Sequence, residues 1–304
     1  MSGQLKVIRA WEYRHPRAPD GLSMAAASGD VFVYDLRGEL ALINASGKVE
    51  WKHGAEFAPL KAHLTADGGA IYLLSTDGYV IRLTRQAQTE WSVWLEREPQ
   101  TMAIKPGGQL AVVGSLKARF HVINSEGENK RIVHTPEPVA YLRFAGKAGE
   151  LYTASAHGWV GVYDRKLNPS REINLGRNIG RIEVDELGRR VFLAAREEGL
   201  HVIDAASGEM MTYGCGFPVA GVATDKNGAR LLVTGMGGQA ALMDIEGHRL
   251  WYTQSARPWL FAAMSADGGR FAMADDKGQV ALYHAGEAAR PADQDKSHFD
   301  FIEV

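Results

Sequence analysis

The chain of 304 residues has a single cysteine, Cys215, so no disulfide can form within it. It has no excess charge of either sign: 34 Lys and Arg stand against 36 Asp and Glu, for a net charge of -2. Binding a polyanion needs a concentrated basic footprint, so nucleic acid is not an expected partner. No apolar run approaches the roughly 18 residues of a membrane span, so direct insertion into a bilayer is not expected either. The first ten residues, Met1 to Ala10, lack the apolar core of a signal peptide. With the lone thiol, this sets the expectation of a reducing, cytoplasmic setting. Catalytic motifs are missing too. There is no phosphate-cradling glycine loop, no GxSxG and no HExxH. The ten histidines are dispersed, with no pair at ligand spacing, so neither metal nor cofactor is expected. The paired carboxylates Asp275-Asp276 and Glu197-Glu198 fall in turns, where solvation is the default.

What the chain does have is a period. Gly29, Gly69, Gly108, Gly149, Gly188, Gly228 and Gly269 recur at gaps of 40, 39, 41, 39, 40 and 41 residues. Self-similarity at about 40 residues marks an array of small sheets. Each glycine ends a short polar turn and precedes an apolar run such as Ala70–Leu74 or Arg190–Ala194. A second glycine turn follows (Gly38, Gly78, Gly158, Gly199, Gly238, Gly278), with Lys117 in the third unit, where a different turn is expected. The third strand ends in Asp or Asn, as in Ile43-Asn44, Tyr163-Asp164 and Ile203-Asp204. Such runs read as antiparallel meanders.

Some units add a fourth strand carrying tryptophan. Trp51, Trp91 and Trp251 lie 17 or 18 residues before their glycines, and Trp11 lies 18 before Gly29. Trp11 therefore belongs to an outer strand, Leu5–His15, that precedes the first complete unit. The seventh unit, from Leu260 to His284, lacks such a strand, so the amino-terminal segment is expected to complete it and close a ring. The tryptophans are read as wedges between sheets.

The third-strand endings and turns, Val202–Glu209 and Leu42–Lys48, resemble those of WD40-like and quinoprotein-like repeats. Ala41–Trp51 and Ala241–Trp251 are similar to the Ala-x-Asp-x-x-Thr-Gly-Lys-x-x-Trp element of the quinoprotein type. Ile43 and Ser46 replace its Asp and Thr in the first; Met243, Glu246 and His248 depart from it in the second. The WD40 Gly-His and Trp-Asp dipeptides are absent. The resemblance implies an all-β, seven-bladed β-propeller of four-stranded antiparallel blades over residues 1–286. A polar linker and tail follow over 287–304.

Function must then lie in loops, channel or tail. One face of the disc should carry the loops that lead into each first strand, marked by Pro19, Pro59, Pro99, Pro138, Pro218 and Pro258. Beside them stand Arg257, Trp259, Phe217, Phe57, Arg177, Arg181 and Arg143, the aromatic and arginine composition of a protein-binding surface. Trp259 and Phe217 could equally plug the channel or a blade interface. Glu96, Glu98 and Glu137 would make one side of the face acidic. In the tail, Phe299, Phe301 and Ile302 alternate with charged residues, as a short strand does when it adds to a partner or folds back on its own disc. The leading expectation is a non-catalytic scaffold, or a subunit of a larger assembly, that binds another protein. The alternative is a lactonase-like hydrolase at the central channel. Lys61, His63, Arg143, Arg181 and Glu183 sit on first strands and could converge there, although alternation would turn about half of them away.

Overall fold

The computed structural model describes residues 5–176 and 178–287. Among the described residues there are 28 strands and no helix. They form seven four-stranded antiparallel sheets, six of them from four consecutive strands. The seventh is composite, its inner three strands coming from Trp259–Glu287 and its outer strand being Leu5–Arg14. This closing strand pairs through nine residue pairs, from Leu5–Glu287 to Arg14–Gln279. The chain is an all-β, seven-bladed propeller, and the amino-terminal strand closes its ring. Blades 1 to 6 begin at Gly21, Pro59, Pro99, Tyr141, Arg181 and Val219, and blade 7 at Trp259. Each inner strand contacts the next around the full circle.

The core is not one mass but seven wedges, each at a junction between neighbouring blades. Leu22, Val31 and Val33 of blade 1 meet Ala272, Val280 and Leu282 of blade 7, for example. Second strands such as Ala70–Ser75 and Val31–Tyr34 are buried along their whole length, because both of their faces meet a neighbouring blade. That is why they are continuously apolar rather than alternating.

The tryptophans are interblade wedges. Trp11, Trp51 and Trp91 donate their indole N–H to Ala45 O, Arg85 O and Ser125 O, in the third-to-outer turn of the next blade, at 3.2, 2.7 and 2.8 Å. The turn must lie flat under the ring: a β-carbon at Gly47 would come within 2.7 Å of Trp11. Trp251 instead packs on Phe271 and Tyr283 of blade 7.

Backbone hydrogen bonds also link the inner turns around the far end of the channel. Ala27 donates to Ala66 O, Ala66 to Pro106 O, Lys147 to Glu186 O, Glu186 to Lys226 O, Lys226 to Ala266 O and Ala266 to Ala26 O. Six of the seven junctions carry such a bond. The junction of blades 3 and 4 does not, because Pro106 has no N–H to give.

In blades 2 and 7 the left-handed glycine of the first turn is Gly68 and Gly268, one residue before the periodic Gly69 and Gly269. In blade 3 the second turn keeps the form it has elsewhere. The residue equivalent to Gly78 is Ala118, which takes φ of 49°, and its carbonyl accepts from Thr135 as that of Gly78 accepts from Leu95. An L-residue in this region costs roughly 1 kcal/mol. Ala118→Gly should therefore raise stability by about 1 kcal/mol in chemical denaturation, with an unchanged m-value.

Candidate functional site: the channel and the lead-in face

Inner-strand register defines two tiers in the channel. The tier nearer the lead-in loops contains Gly21, Lys61, Thr101, Tyr141, Arg181, Gly221 and Phe261, which pair with equivalent residues of the second strands. Two residues on, the next tier contains Ser23, His63, Ala103, Arg143, Glu183, Ala223 and Ala263, and all seven of these line a cavity of about 220 Å³. Because side chains alternate with period two, both tiers share the channel-facing side. None of the five candidates Lys61, His63, Arg143, Arg181 and Glu183 is turned away, contrary to the expectation for half of them. A second cavity of about 270 Å³ lies at the far end, and Phe144, Glu183, Thr224 and Met264 border both.

Arg143 and Glu183 form a two-pronged ion pair across blades 4 and 5, with Nε and Nη2 at 2.8 and 2.7 Å from the carboxylate oxygens. Burial disfavours both charges. Their pairing more than offsets it, holding the guanidinium above and the carboxyl below their ordinary values. His63 donates from Nε2 to Met102 O at 2.8 Å. Burial, reinforced by Arg143, lowers its pKa to about 4, so the ring is neutral at pH 7. Lys61 is lowered by burial first, and then by Arg181 and Arg143.

Arg143 and Arg181 are therefore channel residues and not part of the lead-in surface, a correction that follows from where the inner strands begin. Trp259 is also corrected. It is 5% exposed and packs among Leu242, Phe271 and Met273 between blades 6 and 7, leaving a partner no access to the ring. Phe217 and Phe57 are half-buried against the wedges of blades 5–6 and 1–2, with Phe217 lying over Gly235 and near Tyr252. Arg257 stays on the face, 3.7 Å from the buried carboxylate of Asp275. Arg177, Phe299, Phe301 and Ile302 lie outside the described residues. Trp159 is a core residue, and the ring of the exposed His157 meets Asn178 at 3.3 Å.

Glu96, expected on the acidic side of the face, is 5% exposed. It binds Arg119, His121 (2.9 Å) and Lys117 (3.4 Å). Asn129 donates to His121 Nδ1, which fixes Nε2 as the donor to Glu96. The outer turn of blade 6 brings Asp244, Glu246 and His248 together, a grouping not apparent from histidine spacing. Asp244 there caps its turn through His248 N, as Asp164 does through Asn168 N in blade 4.

Sequence reading missed a cluster on the lead-in face. Trp94 (53% exposed), Tyr79 (44%) and Arg97 line a shallow groove with Glu98 at the edge of blade 2. Leu116 of blade 3, 50% exposed, adjoins it and bonds Glu98 O through its N–H. Met236 and Leu260 are exposed on the same face, beside blades 6 and 7. Trp94 ends the outer strand of blade 2, past the wedge residue Trp91, and its place there exposes it.

The fold and its channel define a seven-bladed β-propeller. Residues 9–134, from the closing strand through blade 3, match the model of a family described as outer membrane protein assembly factor BamB. No curated protein matches the chain. No helix among the described residues is long and apolar enough to cross a membrane.

Proposed function

We propose that the protein is a non-catalytic scaffold that binds another protein through the lead-in face. The observation that carries this is the exposed cluster of Trp94, Tyr79, Arg97 and Leu116. Trp, Tyr and Arg dominate binding energy at protein interfaces, and large apolar side chains grouped on one face of a disc mark a contact surface. The family matched over residues 9–134 is described as an assembly factor, which supports a role in bringing proteins together. A reducing compartment fits the one thiol, Cys215, which is buried and raised in pKa by that burial.

The hydrolase reading gains the convergence of five polar side chains in the channel. Its two proton-handling groups are engaged, however: Glu183 is held ionised by Arg143, and His63 Nε2–H is held on Met102 O. The scaffold reading is tested by capture from native lysate. Intact protein should retain a specific partner, and Trp94→Ala with Leu116→Ser should weaken that complex at least about tenfold with unchanged melting. Equal retention by the variant would remove this face from the role.

A further inference from the structure

Several interior charges are closely paired: Arg143 with Glu183, Glu96 with Arg119 and His121, Asp30 with Arg85. Lys61 and Arg181 are less well matched. Arg181 is about three-quarters buried; its nearest acidic contact is Glu183, 3.6 Å from Nε, too long for a hydrogen bond, and Nε has no hydrogen-bond partner among the described residues. Lys61 is half-buried, and no carboxylate lies within ion-pair distance of it among the described residues. With His63 neutral, Lys61, Arg143 and Arg181 face one carboxylate, Glu183, leaving two positive charges in excess. Asp20, in the lead-in segment of blade 1, is occupied by the N–H of Leu36 at 2.7 Å.

We propose that the channel binds a small oxyanion, a carboxylate or phosphate group, between Lys61 of blade 2 and Arg181 of blade 5, against the Arg143–Glu183 pair. The two blades lie on opposite sides of the ring, so the cations approach from opposed walls. Part of the lining is small: Ser23 of blade 1, Ala223 of blade 6 and Ala263 of blade 7. The cavity, about 220 Å³ with Arg181, Arg143 and Glu183 in its lining, is below the range of drug-sized sites and suited to a small ion or metabolite. Cations in excess of their carboxylates in a low-dielectric channel oppose one another, and an anion placed between them offsets that cost and is held more strongly than in water. Arg181 contributes several donors in one plane and Lys61 a point charge, a combination that fits either oxyanion. The site is separate from the Trp94 groove and does not depend on the scaffold reading.

The test is calorimetric titration of the full chain with inorganic phosphate and with succinate at fixed ionic strength, using chloride as the control. One anion should bind per chain and raise the melting temperature. Lys61→Met and Arg181→Met should each weaken binding at least about tenfold, and the double variant should abolish it. Without anion, each variant should melt at or above the parent's temperature, since a cation in excess of the channel's one carboxylate is gone. The charge-keeping Lys61→Arg and Arg181→Lys should retain binding, as should Arg257→Met on the rim. Binding of phosphate alone or of succinate alone would identify which oxyanion the site takes. No binding of either at about 10 mM, or affinity that survives in the double variant, would overturn the proposal.

Discussion

A chain beginning at Pro16 will not fold cooperatively. Removing residues 1–15 deletes the outer strand of blade 7, leaving the third strand, Gln279–Glu287, as an unpaired edge. Nine residue pairs go with it, at about 0.5–1.5 kcal/mol net for each hydrogen bond lost. Trp11, with its bond to Ala45 O, and Tyr13 leave the wedge between blades 7 and 1, and losing an aromatic side chain of this kind costs about 3–5 kcal/mol. His15 N–H also bonds Gly278 O, at 2.7 Å. Together these losses rival the roughly 5–15 kcal/mol of a whole domain. The expected measurement is a melting transition that broadens or vanishes, with exposed-edge association in solution. A sharp transition near the parent's temperature would mean that the ring is held closed by the inner turns alone.

The second large effect is expected at Glu96. Its carboxylate is buried, and burial alone would raise its pKa. Hydrogen bonds from Arg119, Ser115 and His121 outweigh burial and bring it from an ordinary 4.5 down to about 2. A carboxyl with a depressed folded pKa adds stability that is fully present above its unfolded pKa. That stability is lost as pH falls through the folded value. For Glu96 the window runs from about 4.5 down to about 2. Glu96→Gln removes the charge and leaves Arg119 and Lys117 facing each other without it, a loss of about 3 kcal/mol at pH 7. The difference in unfolding free energy between parent and variant should shrink steadily from pH 4.5 to pH 2. A difference that is independent of pH would show that the loss is one of packing and not of charge.

Much of the architecture was legible in the residues because repetition averages out local ambiguity. One glycine turn is weak evidence, but seven at nearly constant spacing fix the number of blades. Trp11, at the spacing of the other strand tryptophans, assigned the closing strand. Two turn details were not legible. Adjacent glycines in Gly68-Gly69 and Gly268-Gly269 give no local signal for which takes the left-handed conformation. Ala118 shows that the surrounding turn can impose that conformation on a residue whose type disfavours it.

The candidate sites divide along the same line. Sequence alone determined that the chain would form a ring of seven sheets, because period, turn chemistry and apolar runs are local properties. It could not say which side chains lie at the surface of a disc and which lie in its channel. Trp259 and Trp94 are both tryptophans at strand ends near the lead-in loops, yet one is sealed between blades and the other is half exposed. Lys61 and Arg181 are 120 residues apart and face each other only because the ring closes. Only tertiary structure decides such proximity, because curvature and blade packing set which tier of one sheet meets which tier of another.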